Sequence, residues 1–294
     1  MSFLSNLVFG LSLGSVYAII ALGYTMVYGI SKMLNFAHGD VIMIGAYISF
    51  CATSYLHVNP WLALLMSIVF CTILGIVIEG LAYKPLRGAS SLAVLITAIG
   101  VSYFLQNMAL IIWGSAPKVF TSIVSGAKGL RLFNGQLTIT AESILTMAAC
   151  IVIMICMTLF TTRTKMGKAM RAVSEDNGAA QLMGINVNST ISMTFAIGSG
   201  LAAIAGVLLC SSYPALMPTT GAMPGIKAFT AAVFGGIGSI PGAMLGGLLL
   251  GIIEIVGRSY VSSELSDAIV FGVLIVVLLV KPTGLLGKTR MEKV

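Results

Sequence analysis

Eight apolar runs, at roughly 6–30, 41–56, 61–83, 92–113, 143–161, 190–213, 226–256 and 266–281, fill most of the chain. At 1.5 Å per residue each is long enough, or nearly so, to cross a hydrocarbon core about 30 Å thick as a helix. A membrane barrel is excluded, because its strands alternate lipid-facing and lumen-facing residues and these runs are continuous. A soluble domain is excluded by composition: 58% of the residues are hydrophobic and 9% charged, against roughly 25% charged in soluble domains. Too little polar surface remains to cover a globule, so lipid must solvate most of the outer face. The expected fold class is an all-α polytopic membrane protein, a single transmembrane domain over residues 1–294. The first run has no basic segment before it and outlasts a signal-peptide core, so it is expected to stay as a membrane helix.

The formal charge of +7 would suggest nucleic acid in a soluble chain. Here the basic residues sit in links between apolar runs, where they set topology, and no nucleic-acid partner is expected. The link at 162–189 carries Arg163, Lys165, Lys168 and Arg171, the link at 84–91 carries Lys84 and Arg87, and the tail at 282–294 carries Lys288, Arg290 and Lys293. All three are expected on the cytoplasmic side. Counting crossings back from 162–189 puts the N-terminus, the 114–142 link and the uncharged "SYPALMPTTGAMPG" (212–225) outside. The count closes only if 226–256 is not one span. "GGIGSIPG" (235–242) supplies the interruption, giving about eight transmembrane helices plus a broken or re-entrant pair. A buried break must line a cavity or be covered by protein; the alternative is a plain hairpin at the membrane surface. Gly10 and Gly14, Gly242 and Gly246, Gly247 and Gly251, and Ala202 and Gly206 are each four apart, the spacing at which helix backbones approach closely in lipid.

Sites of chemistry are sparse. The five cysteines all fall in apolar runs, without a CxxC or a Cys–His pair at ligand spacing, and read as inert core thiols. "GLLGKT" (284–289) ends like a phosphate-binding loop, but Pro282 stands where that loop needs glycine and too little chain follows for its helix. No nucleophile elbow, HExxH helix or paired intramembrane carboxylates are present. A non-catalytic chain with no cofactor and no metal is expected.

"NFAHGD" gathers Asn35, His38 and Asp40 before a helix starting near Val41. On one reading Asp40 caps that helix and His38 is interfacial; on the other the turn dips into the membrane and faces a permeation route. Glu254 has Arg258 one turn on and Glu79 lies near Lys84, both read as anchoring pairs. Gln106 and Asn107 are expected to bond between helices.

The most polar stretch is "TKMGKAMRAVSEDNGAAQLMGINVNS" (164–189). Met166, Ala169, Met170 and Val173 fall on one helical face and Lys165, Lys168 and Arg171 on another, an amphipathic helix. Asn177 is placed to cap a second short helix, with Glu175 and Asp176 at its positive end and Gly184 to stop it. Ala179, Leu182 and Met183 share one face of that helix, and acids beside small apolar residues suit a groove in a cytoplasmic protein better than an anionic leaflet.

"GAAQLMGINV" (178–187) resembles the degenerate EAA loop of bacterial ATP-binding cassette (ABC) importer permeases, with Gly178 where the fuller motif has glutamate. "GSVYAIIALGYTMVYGISKMLNFAHGD", "AYKPLRG", "SYFLQN", "KAFTAAVFGGIGSIPGAMLGG" and "PTGLLG" extend the likeness over nearly the whole chain, to the LivH type of branched-chain amino-acid permease. The resemblance implies an importer permease fold in the bacterial inner membrane, with a second, unlike permease, two cytoplasmic ATPase subunits and a periplasmic substrate-binding protein. Leucine, isoleucine and valine would be the substrates, with urea, amides or another small polar solute as alternatives. The ATPase-coupling residues would be Arg171, Glu175, Asp176, Ala179, Ala180, Met183 and Gly184. The resemblance also brings the pathway reading of Asn35, Phe36, His38 and Asp40 level with the capping one, and Gly235, Gly236, Gly238 and Pro241, from the break expected to line a cavity, are candidates for the same pathway. A stand-alone channel or ion-coupled carrier, or a membrane scaffold, are the readings from other classes.

Overall fold

The computed structural model describes residues 2–124, 126, 127, 129–132 and 137–287. The basic tail residues Lys288, Arg290 and Lys293, and the end of "GLLGKT", lie outside the described residues. Eleven α-helices account for most of what is described: α1 (Ser2–Ser31), α2 (His38–Ser54), α3 (Pro60–Ile78), α4 (Ser91–Trp113), α5 (Ala141–Arg163), α6 (Lys165–Glu175), α7 (Asn177–Leu182), α8 (Val187–Ser212), α9 (Ala222–Gly235), α10 (Ile240–Tyr260) and α11 (Ser266–Val280). A π-turn (Glu79–Tyr83) and a 3₁₀ turn (Lys84–Leu86) prolong α3. By length and composition α1, α3 with its extension, α4, α5, α8 and α10 can cross a membrane. The 17, 14 and 15 residues of α2, α9 and α11 reach only about 26, 21 and 22 Å at 1.5 Å per residue.

The polar punctuation between apolar runs places the helix ends. Asn59, Ser90, Thr140, Asn186 and Ser239 each cap the following helix by accepting a backbone N–H, with Pro60 and Pro241 in first turns that need no proline donor. The expected interruption at 235–242 is present: Gly236 (φ 105°) and Gly238 (φ 93°) turn the chain in the left-handed region between α9 and α10. The last carbonyls of α9 are covered by the tail, where Leu285 N–H donates to Phe234 O at 2.9 Å and Leu286 N–H to Gly235 O at 2.9 Å. Gly238 itself is exposed.

Four short strands qualify the all-helical expectation. β1 (Lys118–Val119) pairs antiparallel with β4 (Ala215–Leu216), and β2 (Leu130–Leu132) with β3 (Leu137–Ile139). The first pair ties the 114–140 link to the segment after α8. These residues and the C-terminus of α8 therefore share one end of the bundle, while α6, α7 and the N-terminus of α8 lie at the other.

Helices α1 and α8 form the centre, with 78% and 83% of their most apolar windows buried, against 17% for α4 and α5 at the periphery. The α1–α10 contact is made by glycines. A Cβ on Gly14 would stand 2.8 Å from Leu248 Cα, and Gly247 and Gly251 rest directly on Ala18 and Gly14. Lipid gives helices no hydrophobic reason to associate, so this backbone approach is what holds them. Gly246 rests likewise on Ala231 of α9, and Gly206 on Ile42 of α2.

Candidate functional site

At one end of the bundle the chain leaves α5 and folds back through α6 and α7. Thr164 closes α5 and opens α6: its Oγ1 donates to Phe160 O at 2.7 Å and accepts from Gly167 N–H at 3.0 Å. Any side chain at Gly167 would strike the Phe160–Thr161 backbone, so glycine is required for the fold-back. On α6, Met170 and Val173 are buried and Met166 and Ala169 half-buried, while Lys165, Lys168 and Arg171 point outward. That is the amphipathic split of the sequence. Arg171 also donates to Thr162 O at 3.2 Å, bracing α6 against the end of α5.

The cap of α7 is Asp176 rather than Asn177. Its Oδ1 accepts from Gly178 N–H at 2.7 Å and Ala179 N–H at 3.0 Å, so the helix begins one residue earlier than an Asn177 cap would place it. Gly184, at φ 80°, ends the turn. Ala180 is buried and seats α7 on the body, whereas Leu182 and Met183 are 90% and 82% exposed, with Glu175 and Ala179 also exposed. Among the described residues the Ala179–Leu182–Met183 face is thus unpartnered.

Behind the elbow lies a cavity of about 530 Å³, bounded by Met33, Arg87, Gln181, Gly184 and Asn188 among others. Arg87 bridges Glu79 and Asn188, and Ser192 Oγ donates to the second oxygen of Glu79 at 2.6 Å. The partner of Glu79 is therefore Arg87, not Lys84: the π-turn carries Arg87 back over the carboxylate.

The second group of expected site residues divides. Asn35, His38 and Asp40 are all buried. Asn35 accepts from Tyr83 Oη at 2.9 Å, His38 packs 4.6 Å from Tyr24, and Phe36 lies 5.5 Å from Phe229. Asp40 does not cap α2, which starts at His38 with no side-chain cap; it sits in the first turn and accepts from Gln106 Nε2 at 2.9 Å. Asn107, by contrast, bonds back to Tyr103 O of its own helix at 2.7 Å. Gly39 meets Gly221 and Gly225, so the N-terminal ends of α2 and α9 touch backbone to backbone. The buried His38 Nε2 and Thr25 Oγ1 have no hydrogen-bond partner among the described residues. Gly235, Gly236, Gly238 and Pro241 form a separate cluster at the α6–α7 end, where Gly235 packs on Gly242 and Gly236 on Gly287.

A family model described as "Branched-chain amino acid transport system / permease component" matches residues 6–278. The chain is 47% identical over 302 residues to the high-affinity branched-chain amino acid transport system permease protein BraD of Pseudomonas aeruginosa, covering 99% of this chain and 98% of that one. It is 46% identical over 313 residues to the corresponding protein LivH of Escherichia coli, with the same coverage. The chain belongs to the branched-chain amino-acid transport permease family. The permease also matches in fold a chain of PsaBC from Streptococcus pneumoniae, solved in complex with a Fab, with TM-score 0.50 and 15% identity over 96% of this chain and 93% of that one.

One charged group in the permease escaped sequence reasoning. The expected Glu254–Arg258 pair is present at 2.9 Å, but Lys227 also lies 2.8 Å from Glu254 and 2.6 Å from Asp267, and Tyr17 Oη donates to Glu254 at 2.8 Å. A lysine inside "GIKAFTAAVFG" was the available signal, because a cation in an apolar helix must find an anion.

Proposed function

We propose that the chain is the membrane-spanning permease subunit of an ABC importer for leucine, isoleucine and valine. It works beside a second, unlike permease, two cytoplasmic ATPase subunits and a periplasmic binding protein. Hydrolysis belongs to the ATPases. The α6–α7 end faces the cytoplasm, because Lys84, Arg87, Arg163, Lys165, Lys168, Arg171 and Lys281 gather there; the N-terminus is periplasmic and the C-terminus cytoplasmic.

The observation that carries this reading is α7, whose Leu182 and Met183 stand almost fully exposed on a base fixed by Ala180, Thr164 and Gly167. Exposed apolar side chains on a well-anchored polar elbow fit a groove in another protein. Arg171, Glu175, Asp176, Ala179, Met183 and Gly184 form or support that contact, and closure of the ATPases tilts the elbow as a rigid lever. The two half-helix ends at Gly39 and Gly221 then separate, opening a route past Asn35, Phe36, His38 and Asp40. The break at Gly235, Gly236, Gly238 and Pro241 lets α9 move against α10.

Leu182→Glu tests the coupling, because it alters the exposed face without touching the core. The variant is expected to reach the membrane at normal level, to lose copurification of the ATPase subunits, and to reduce leucine uptake at least tenfold. Normal copurification and uptake would refute it. Leucine flux through the purified chain alone in liposomes, without ATP, would favour a stand-alone carrier.

A further inference from the structure

A cavity of about 250 Å³ opens at the end of the bundle opposite α6 and α7, between α1, α8, α9 and α10. Its polar wall includes Tyr17, Lys227, Glu254 and Arg258; its apolar wall includes Leu13, Leu209, Met223 and Pro224. We propose that this cavity is a docking site within the permease for a zwitterionic α-amino acid with a small aliphatic side chain. The assignment rests on the importer reading above.

Charge balance is the first argument. Lys227 and Arg258 are offset by Glu254 and Asp267, so the cluster is neutral as it stands. A purely anionic or cationic ligand would leave an uncompensated charge beside the buried Lys227–Glu254 pair, whereas a zwitterion adds one charge of each sign. Donor supply is the second. Arg258 uses one N–H toward Glu254 and has others for a carboxylate, in the planar fork that such groups accept. Among the described residues Glu254 receives Lys227 and Arg258 on Oε1 and Tyr17 alone on Oε2, which leaves Oε2 able to accept from an ammonium. Size is the third. The volume falls just below the roughly 300 Å³ at which ligand pockets usually begin, which suits one small amino acid and excludes a peptide. The aliphatic side chain would lie along Leu13, Leu209 and Met223.

The test is binding of radiolabelled L-leucine to the complete membrane complex in nanodiscs, with the soluble binding protein omitted. Saturable binding is expected. 4-Methylpentanoate, which lacks the ammonium, and 3-methylbutylamine, which lacks the carboxylate, should compete at least tenfold more weakly than leucine. Arg258→Gln should weaken leucine binding at least tenfold, with Arg258→Lys recovering part of it. Met223→Trp fills the apolar wall without touching a charge, and should abolish binding even if Arg258→Gln fails to assemble. Unchanged leucine binding in Met223→Trp, or equal competition by the two analogues, would overturn the assignment. ATP-driven leucine accumulation by the wild-type importer with its binding protein separates the two ideas. If accumulation is normal while the binding result is negative, only the cavity assignment falls; if leucine is not accumulated, the substrate reading falls and takes this assignment with it.

Discussion

Gly14 and Gly100 are both interior helical glycines, yet they do opposite things. A Cβ at Gly14 would meet Leu248 Cα at 2.8 Å, whereas nothing lies within 4 Å of one at Gly100. Gly14→Ala must push α1 off α10, an overpacking cost of about 1–3 kcal/mol. Gly100→Ala only restricts the backbone and should stabilise α4 by about 0.5–1 kcal/mol. In thermal unfolding of the purified permease, Gly14→Ala is expected to lower Tm by several degrees and Gly100→Ala to leave it unchanged or slightly raised. Equal effects at the two positions would mean that the α1–α10 contact is not as close as described. Asp40 and Glu254 make a related point. Both are buried carboxylates, and each is held by groups from other helices, Gln106 in one case and Tyr17 and Lys227 in the other.

Among the elements, α7 is the most dependent on single residues, because six residues are far too few for a helix that stands by propensity alone. Asp176 supplies two backbone hydrogen bonds and Gly184 the left-handed exit. Asp176→Ala should cost about 1 kcal/mol of helix stability. Because α7 carries the proposed contact, leucine uptake is expected to fall severalfold at unchanged membrane level, and Asp176→Asn, which keeps the capping oxygen, should restore most of it. Wild-type uptake in Asp176→Ala would show that the cap is dispensable. Helices of this kind were legible in the sequence because their signals are local: apolar runs, a polar cap, a glycine or proline at the end. The break between α9 and α10 was legible for the same reason, as "GGIGSIPG" holds the left-handed glycines, the cap and the first-turn proline together. What stayed hidden is long-range. Tyr17 and Glu254 are 237 residues apart, and nothing near either one names its partner. Arg87 displaced Lys84 beside Glu79 through a π-turn, one extra residue per turn that helical spacing does not anticipate.

For the whole molecule, the direction in which it sits in the bilayer follows from the distribution of basic residues between its ends. The α6–α7 end carries Lys84, Arg87, Arg163, Lys165, Lys168, Arg171 and Lys281. At the opposite end Lys227 and Arg258 are engaged by Glu254 and Asp267, which leaves few basic groups there to oppose that bias. Basic links are retained on the cytoplasmic side, while acids contribute little, so Glu175 and Asp176 do not weaken the expectation. Gln181 and Ser263 are exposed at opposite ends, and Cys51, Cys71, Cys150, Cys156 and Cys210 are all free, so they must be replaced before labelling. In that background a membrane-impermeant maleimide applied to intact spheroplasts should label Ser263→Cys and leave Gln181→Cys unlabelled until the membrane is permeabilised. Ile237→Cys, in the turn between α9 and α10, should follow Gln181→Cys, because Gly236 beside it packs on the tail at that end. The opposite pattern would put the exposed face of α7 outside the cell, beyond reach of any cytoplasmic ATPase, and the lever would have nothing to pull it.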